Sequence, residues 1–194
     1  YAAMIESVDN QVGKILNRLQ ELNIDKNTII CFTSDNGGLS TSEGSPTSNL
    51  PLRGGKGWLY EGGIREPFLI AWPGVIQPAR SSDIPVISTD FYPTLLDLAG
   101  LPSKPNQHLD GVSLTPILKN TGILKRKNLF WHYPHYSNQG GFPGGVIRSG
   151  RWKLIERFED GSTHLFNLET DIHERSDLAQ HHPKIVKQMK MDLH

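Results

Sequence analysis

The sequence predicts an α/β fold in which helices and buried parallel or mixed strands come first, and a small antiparallel sheet with a closing C-terminal helix comes last. Three observations support this prediction. A helical pattern runs directly into an apolar, β-branched segment, as in half of a βαβ unit. The helical period then disappears in a long stretch rich in turn residues. Beyond about residue 120, short apolar runs alternate with hairpin signals.

The first helix is predicted over residues 3–22, where apolar side chains recur every three or four positions. Apolar and β-branched residues then run without interruption over residues 28–33. Such a run is typical of a parallel strand that is buried on both faces. We therefore expect a helix that leads directly into a central strand.

Residues 34–66 form a long aperiodic segment rich in Gly, Ser and Pro. Its length is unusual for a connector inside a compact domain, which favours a binding loop. A second buried strand is predicted over residues 68–72, and a short third strand over residues 84–87. Thr89 or Asp90 can cap a further helix, which ends at Gly100.

The last third of the chain predicts a small antiparallel sheet. Its apolar runs are short, and Ser149-Gly150 and Asp160-Gly161 are hairpin signals between them. The runs are residues 128–133, 146–149, 151–158 and 163–168. A closing helix is predicted from about Pro183.

The charge balance excludes one class of function. Lys and Arg number 20, Asp and Glu also number 20, and the pI is near 7.3. Non-specific nucleic-acid binding needs a surplus of positive charge, so we expect no nucleic-acid partner.

No apolar run approaches the ~20 residues needed to span a bilayer, so we expect no membrane span. The single cysteine, Cys31, excludes an intrachain disulfide and a cysteine-only metal site.

Asp35 and Asn36 form the first candidate site, because they follow the first predicted strand. In open parallel sheets, ligands bind beyond the carboxyl ends of the strands. Carboxylate and amide oxygens suit a hard cation such as calcium or magnesium rather than zinc. Asp-Asn-Gly is also common at strand ends as a helix cap or an Asx turn. The spacing alone leaves both interpretations open.

Lys56 is the second candidate, because it lies between glycines that allow close backbone approach while its ammonium points at an anion. The segment does not match the Walker pattern. The alternative is a mobile, solvated loop lysine. The charged residues around Lys56 are interpreted as ion pairs that pin the loop; they are Arg53, Glu61, Arg65 and Glu66.

His132 and His135 form a third candidate cluster among the aromatic residues of segment 131–136. Histidine and aromatic side chains suit contact with a sugar ring, but they also fill half-buried strand ends. A metal role would need a third ligand nearby. Packing is therefore the favoured interpretation from these residues alone.

The order of these segments resembles the sulfatase family. Residues 34–38 are Ser-Asp-Asn-Gly-Gly, and residues 52–67 are Leu-Arg-Gly-Gly-Lys-Gly-Trp-Leu-Tyr-Glu-Gly-Gly-Ile-Arg-Glu-Pro. A Trp-Pro-Gly sequence follows at 72–74. Further matching segments are 88–94, 98–100, 110–114, 152–154 and 165–168, so the resemblance covers essentially the whole chain.

The resemblance implies a type I, arylsulfatase-like enzyme of the alkaline-phosphatase superfamily. Such enzymes hydrolyse sulfate esters with a formylglycine nucleophile and one calcium ion, or magnesium in its place. By position, Asp35 and Asn36 match two metal ligands, and Lys56 matches the lysine that contacts the sulfate. His132 and His135 lie where polysaccharide-type relatives often place substrate-contacting residues. The implied substrate is a sulfated glycan or an aryl sulfate, and the implied location is periplasmic or secreted.

One part of the family pattern is missing. The nucleophile motif, Cys or Ser followed by x-Pro-x-Arg, has no match: Cys31 is followed by Phe-Thr-Ser, and segment 103–107 lacks the arginine. The resemblance therefore implies a C-terminal portion that is inactive alone, with an N-terminal part as its partner supplying the nucleophile and the remaining metal ligands. We expect residues 1–122 to belong to the catalytic α/β domain, and residues 123–194 to form a small C-terminal α+β subdomain.

Two other functions stay open. A phosphatase or phosphodiesterase of the same superfamily would use the Asp-Asn pair equally well, although the histidine-rich ligands of a two-zinc enzyme are not found around Asp35. A non-catalytic carbohydrate-binding module on the same scaffold would use segment 131–136 as its sugar platform.

Overall fold

The computed structural model describes all residues from Tyr1 to His194. The predicted α/β fold is confirmed: helices accompany one two-stranded and one four-stranded sheet. In chain order the elements are α1 (Ala2–Glu21), β1 (Ile30–Thr33), α2 (Glu61–Ile64), β2 (Phe68–Ala71), α3 (Phe91–Leu98), α4 (Thr115–Leu118), β3 (Asn128–Tyr133), β4 (Gly144–Ser149), β5 (Trp152–Arg157), β6 (Thr163–Asn167) and α5 (Pro183–Leu193). No helix is long and apolar enough to cross a membrane.

The chain divides into two compact units. One consists of Phe32–Phe68 and Lys127–His194, together with Tyr1, and the other of Ala2–Cys31 and Leu69–Arg126. The predicted boundary between residues 122 and 123 lies close to one of these division points. The assignment of the two parts to a catalytic domain and a subdomain stays a prediction.

The first helix and the first two strands form where the sequence predicts them. Helix α1 has no buried residue, and apolar side chains such as Met4 and Ile15 are more than half exposed. The prediction that β1 is buried on both faces is wrong for these residues, because Cys31 and Phe32 are exposed. Strand β1 belongs to a sheet of only two strands, whose other member is β2, whereas strands buried on both faces lie in larger sheets covered by helices.

The strand predicted over residues 84–87 does not form. Pro85 has no N–H to donate to a strand ladder. Its carbonyl oxygen instead accepts a hydrogen bond from Arg126 Nη2 at 3.1 Å, and the N–H of Ile87 donates to Asp90 Oδ2 at 3.0 Å. Side chains therefore satisfy the backbone groups that a neighbouring strand would otherwise pair.

Asp90 is fully buried and organises this unit. It precedes α3 but does not cap that helix with its side chain. Its carboxylate instead accepts from the backbone N–H of Val112 at 3.0 Å and from the guanidinium of Arg126, whose Nη2 lies 2.9 Å from Oδ2. The sequence predicted Asp90 as a possible helix cap, whereas in the structure it is the buried partner of Arg126 and of backbone N–H groups.

The four-stranded sheet is antiparallel in the order β3-β4-β5-β6, as predicted. Gly150 and Gly161 occupy its tight turns with positive φ angles of 55° and 69°. One face of the sheet packs against Leu59, Tyr60 and Phe142, and the other packs against α5 through Met189 and its neighbours. The predicted closing helix is therefore confirmed as the layer that covers the second face.

Candidate active site

The loop that carries Asp35 and Asn36 packs against the glycine-rich segment through backbone atoms. The N–H of Gly37 donates to the carbonyl oxygen of Gly63 at 3.1 Å. A Cβ on Gly37 would lie 1.9 Å from the carbonyl oxygen of Gly62, so no larger residue fits there. The close approach is therefore possible only because position 37 has no side chain.

A second set of backbone contacts brings Lys56 to the same loop. The N–H of Lys56 donates to the carbonyl oxygen of Gly38 at 3.2 Å. The Asn49 side chain bridges the two segments, because its Nδ2 donates to the carbonyl oxygens of Gly38 and Gly54 at 2.8 and 3.1 Å. The structure thus brings the predicted residues Asp35, Asn36 and Lys56 onto adjoining loops.

Asp35 and Asn36 present oxygen atoms close together. Asp35 is exposed and Asn36 is half-buried, and Asn36 Nδ2 donates to Asp35 Oδ2 at 2.6 Å. Burial and the neighbouring Asp35 both raise the pKa of the Glu66 carboxyl, and Glu66 Oε1 has no hydrogen-bond partner. No group of three or more His, Cys, Asp and Glu side chains in these residues is arranged to hold a metal. The loop therefore offers two side-chain oxygen ligands in a locally negative environment.

Lys56 is exposed between two glycines of unusual conformation. Gly54 and Gly57 have φ angles of +73° and +84°, which L side chains rarely adopt. On the far side, the indole N–H of Trp58 donates to the carbonyl oxygen of Gln139 at 3.0 Å. The loop after β3 is thereby held against the residues that follow Lys56.

The structure places His132 and His135 in aromatic packing. Both are exposed; the His132 ring lies 5.4 Å from Phe158, and the His135 ring lies 5.4 Å from Tyr133. Neither takes part in the hydrogen bonds that join the Asp35 and Lys56 loops. Their contact with substrate stays a prediction.

The charged residues around Lys56 do pin the loop, although not all as ion pairs. Glu61 is only 2% exposed and lies 3.7 Å from Arg65, as predicted. Arg53 instead lies over the Tyr60 ring at 3.9 Å and donates from Nη1 to the backbone oxygen of Glu174 at 2.7 Å. The loop is therefore tied to residues that are distant in the sequence.

The sequence did not identify two of these distant residues, Lys153 and Glu174, as part of the site. Lys153 is fully buried and lies 2.9 Å from Glu61 Oε1 and 2.8 Å from Glu174 Oε1. Burial raises the pKa of the Glu174 carboxyl, although Lys153 favours its ionised form. Strand alternation puts Lys153 on the same face as Ile155, and a lysine on an apolar face is a signal of a buried partner. No comparable signal marks Glu174.

A cavity of about 610 Å³ lies beside Asn49 and Gly54. Hydroxyl, amide and guanidinium groups contribute to its walls. The lining residues that carry them include Ser40, Thr41, Ser48, Asn49, Arg53 and Arg175. Leu50, Pro51 and Leu52 also line the cavity, so its walls combine polar and apolar surface.

Two family models and a curated relative match the chain. A family model described as Sulfatase matches residues 1–101, and one described as N-sulphoglucosamine sulphohydrolase, C-terminal, matches residues 55–194. A sulfatase of Formosa agariphila is 38% identical over 100% of this chain and 37% of its own length. The chain thus spans well under half the length of that relative.

Two solved structures share the fold. The structure of Ps i-CgsB in complex with k-i-k-neocarrahexaose has a TM-score of 0.81 at 35% identity, covering 98% of this chain and 42% of that chain. The structure of BT4656 in complex with its substrate D-glucosamine-2-N,6-O-disulfate has a TM-score of 0.81 at 26% identity, covering 100% of this chain and 38% of that chain. From the family models and the similarity to the Formosa agariphila sulfatase, we conclude that the chain belongs to the sulfatase family.

Proposed function

We propose that this chain is the C-terminal part of an enzyme that hydrolyses sulfate esters of carbohydrates. In this proposal Asp35 and Asn36 are two ligands of a calcium ion, and Lys56 contacts the sulfate group. The observation that carries it is the backbone hydrogen bond between Lys56 and Gly38, which joins the segment that contains Lys56 to the loop that contains Asp35 and Asn36. Membership of the sulfatase family supports the same assignment.

The donor set fits a calcium ion. One carboxylate and one amide oxygen are hard ligands, and calcium takes six to eight such oxygens in proteins. Burial, and after it the negative charge of Asp35, raise the pKa of the nearby Glu66 carboxyl. When bound, the ion supplies positive charge that stabilises the sulfate oxygens. The remaining ligands would come from outside these residues.

The Lys56 ammonium would supply a positive charge that contacts the substrate's sulfate group. Its ammonium has three donors and lies on an exposed side chain, so it is free to meet an anionic group. Negative charge grows on the ester oxygen as its bond to sulfur breaks, and a lysine held near that oxygen lowers the barrier. The formylglycine nucleophile implied by the family would also lie outside these residues.

A sulfated sugar is the substrate class that we assign. The BT4656 structure holds such a compound as its substrate, and that protein shares the fold and 26% of the sequence. The hydroxyl and amide groups in the cavity beside Asn49 and Gly54 would bond to sugar hydroxyls. The exposed rings of His132 and His135 would add contacts to the glycan.

The test is to assay the full-length protein against D-glucosamine-2-N,6-O-disulfate, 4-nitrophenyl sulfate and 4-nitrophenyl phosphate. We expect release of sulfate, with activity lost on chelation and restored by calcium. Faster turnover of the phosphate ester would instead support the phosphatase alternative. Tight, calcium-independent binding of the disulfated sugar without turnover would support the carbohydrate-binding module.

A further inference from the structure

Three charged side chains form a buried cluster on the sheet face that packs against the Lys56 segment. Lys153 has no exposed surface and pairs with Glu61 and Glu174, which are 2% and 0% exposed. Glu174 Oε2 also accepts the backbone N–H of Glu61 at 2.6 Å. Charged residues are almost never fully buried without partners, and here each carboxylate meets the same ammonium.

The cluster reaches both ends of the segment 53–61, which we name the Lys56 loop. At its beginning, Arg53 donates to the backbone oxygen of Glu174 at 2.7 Å. At its end, the side chain of Glu61 meets Lys153 and its backbone N–H meets Glu174. Glu174, in the segment after β6, therefore contacts both ends of the loop, and Lys153 on β5 contacts the end at Glu61.

The middle of the Lys56 loop is held by its own hydrogen bonds to Gly38 and Asn49 and by these anchors at its ends. It contains Gly54, Gly55 and Gly57, and glycine restricts the backbone less than any other residue. The side chain of Lys56 is itself exposed. Fixing both loop ends therefore restricts the directions in which the Lys56 ammonium points.

We propose that Lys153 is a positioning residue for sulfate ester hydrolysis, which acts through Glu61 and Glu174 to fix the Lys56 loop. This inference rests on the proposed function. Burying three charges is costly, and apolar residues of similar volume would stabilise the sheet face at least as well. The hydrogen bonds from Lys153 to Glu61 and from the Glu61 N–H to Glu174 instead supply directional contacts, which define the loop geometry more narrowly than apolar packing does.

The variant Lys153→Met in the full-length protein tests this role with 4-nitrophenyl sulfate as the probe. We expect kcat to fall about ten- to hundredfold and KM to stay within about threefold, as for a displaced catalytic group. The matched control is Leu154→Ala. Leu154 is the next residue of β5, is equally buried, and packs on the opposite face with Ile147 and Leu165. A purely structural role predicts that both variants lose activity only in proportion to the folded fraction.

Two further measurements keep the test decisive. The triple variant Glu61→Gln, Lys153→Met, Glu174→Gln removes all three charges while keeping similar shapes, and we expect it to fold and to lose as much kcat as Lys153→Met. Hydrogen exchange of residues 54–60 should accelerate in Lys153→Met, while exchange in α5 stays unchanged. The proposal is overturned if Lys153→Met keeps wild-type loop exchange or a kcat within about twofold of the wild type. It is also overturned if Leu154→Ala loses as much activity per folded molecule as Lys153→Met. A wild-type protein without sulfatase activity would refute the proposed function, and loop exchange would still decide the positioning.

Discussion

The backbone N–H of Lys56 donates a hydrogen bond to the carbonyl oxygen of Gly38 at 3.2 Å. This contact joins the loop after β1 to the Lys56 loop. The loop after β1 contains Asp35 and Asn36, the proposed calcium ligands, and the Lys56 loop contains the lysine proposed to contact the sulfate.

Gly37→Ala should separate the two loops. Its new Cβ would lie 1.9 Å from the carbonyl oxygen of Gly62, a backbone atom that cannot move alone. A displacement of about 1 Å at a catalytic group costs about a hundredfold in rate, so we expect kcat/KM to fall by at least that factor. Gly13→Ala is the control, because nothing lies within 4 Å of its added Cβ. Equal activity of both variants would show that the loop contact is dispensable.

Asp35→Asn should weaken calcium binding. The substitution keeps the shape of the side chain but removes the negative charge from the proposed ligand set, and ligand charge tunes calcium affinity. We expect the calcium concentration for half-maximal activity to rise by about tenfold or more. Asp83→Asn, at an exposed position in the other unit, should leave that concentration unchanged. An unaltered calcium requirement in Asp35→Asn would remove Asp35 from the metal site.

Asp177 should make the stability of β6 depend on pH. Burial raises the pKa of Asp177, but hydrogen bonds from the Leu165 and Ala179 N–H groups and from His164 outweigh it, so the pKa lies below the ordinary value of 3.8. A depressed carboxylate stabilises the fold above the ordinary pKa, and this stabilisation is lost as pH falls through the folded value. Hydrogen-exchange protection of Leu165 should therefore drop between about pH 5 and pH 3 in the wild type.

The comparison for this effect is Asp177→Asn. At about pH 5 its Leu165 amide should already be less protected than in the wild type, and it should lose little further protection on acidification. A parallel loss of protection in both proteins would contradict the role assigned to Asp177.

Arg126→Ala should destabilise the unit that contains α3. It leaves the fully buried Asp90 carboxylate without its cationic partner. Removing one member of a buried ion pair costs about 3–5 kcal/mol, and we expect a loss in the free energy of unfolding of that size for this unit. Lys125→Ala is the neighbouring control and should change the free energy by less than about 0.5 kcal/mol. Denaturant unfolding monitored by exchange in α3 distinguishes the two outcomes.

The sequence predicted most elements because their patterns are local. Helix α1 follows from periodicity, and the turns at Gly150 and Gly161 follow from residues that tolerate positive φ. The segment 84–87 was mistaken for a strand because its backbone partners, Asp90 and Arg126, are side chains that no local pattern reveals. The burial of β1 was mistaken because an apolar run shows preference for burial but does not supply the covering layers.

The candidate site was predictable for a different reason. Asp35, Asn36 and Lys56 lie within motifs whose order resembles a known family, and the glycines around them signal a close backbone approach. The contacts that support the site were less predictable, because Lys153 on an apolar strand face signals a buried partner but does not identify it. Lys153 and Glu174 reach Glu61 only after the sheet has formed, and their long-range pairing leaves no spacing signal in one sequence.

Contact between Lys56 and the sulfate group is tested by the kcat of full-length Lys56→Ala toward 4-nitrophenyl sulfate. The exposed Lys187→Ala on α5 is the control. We predict that Lys56→Ala remains folded and loses about a hundredfold or more in kcat, as for removal of an oxyanion-stabilising group, while Lys187→Ala keeps wild-type turnover. Near-wild-type turnover by folded Lys56→Ala would show that Lys56 does not contact the sulfate group.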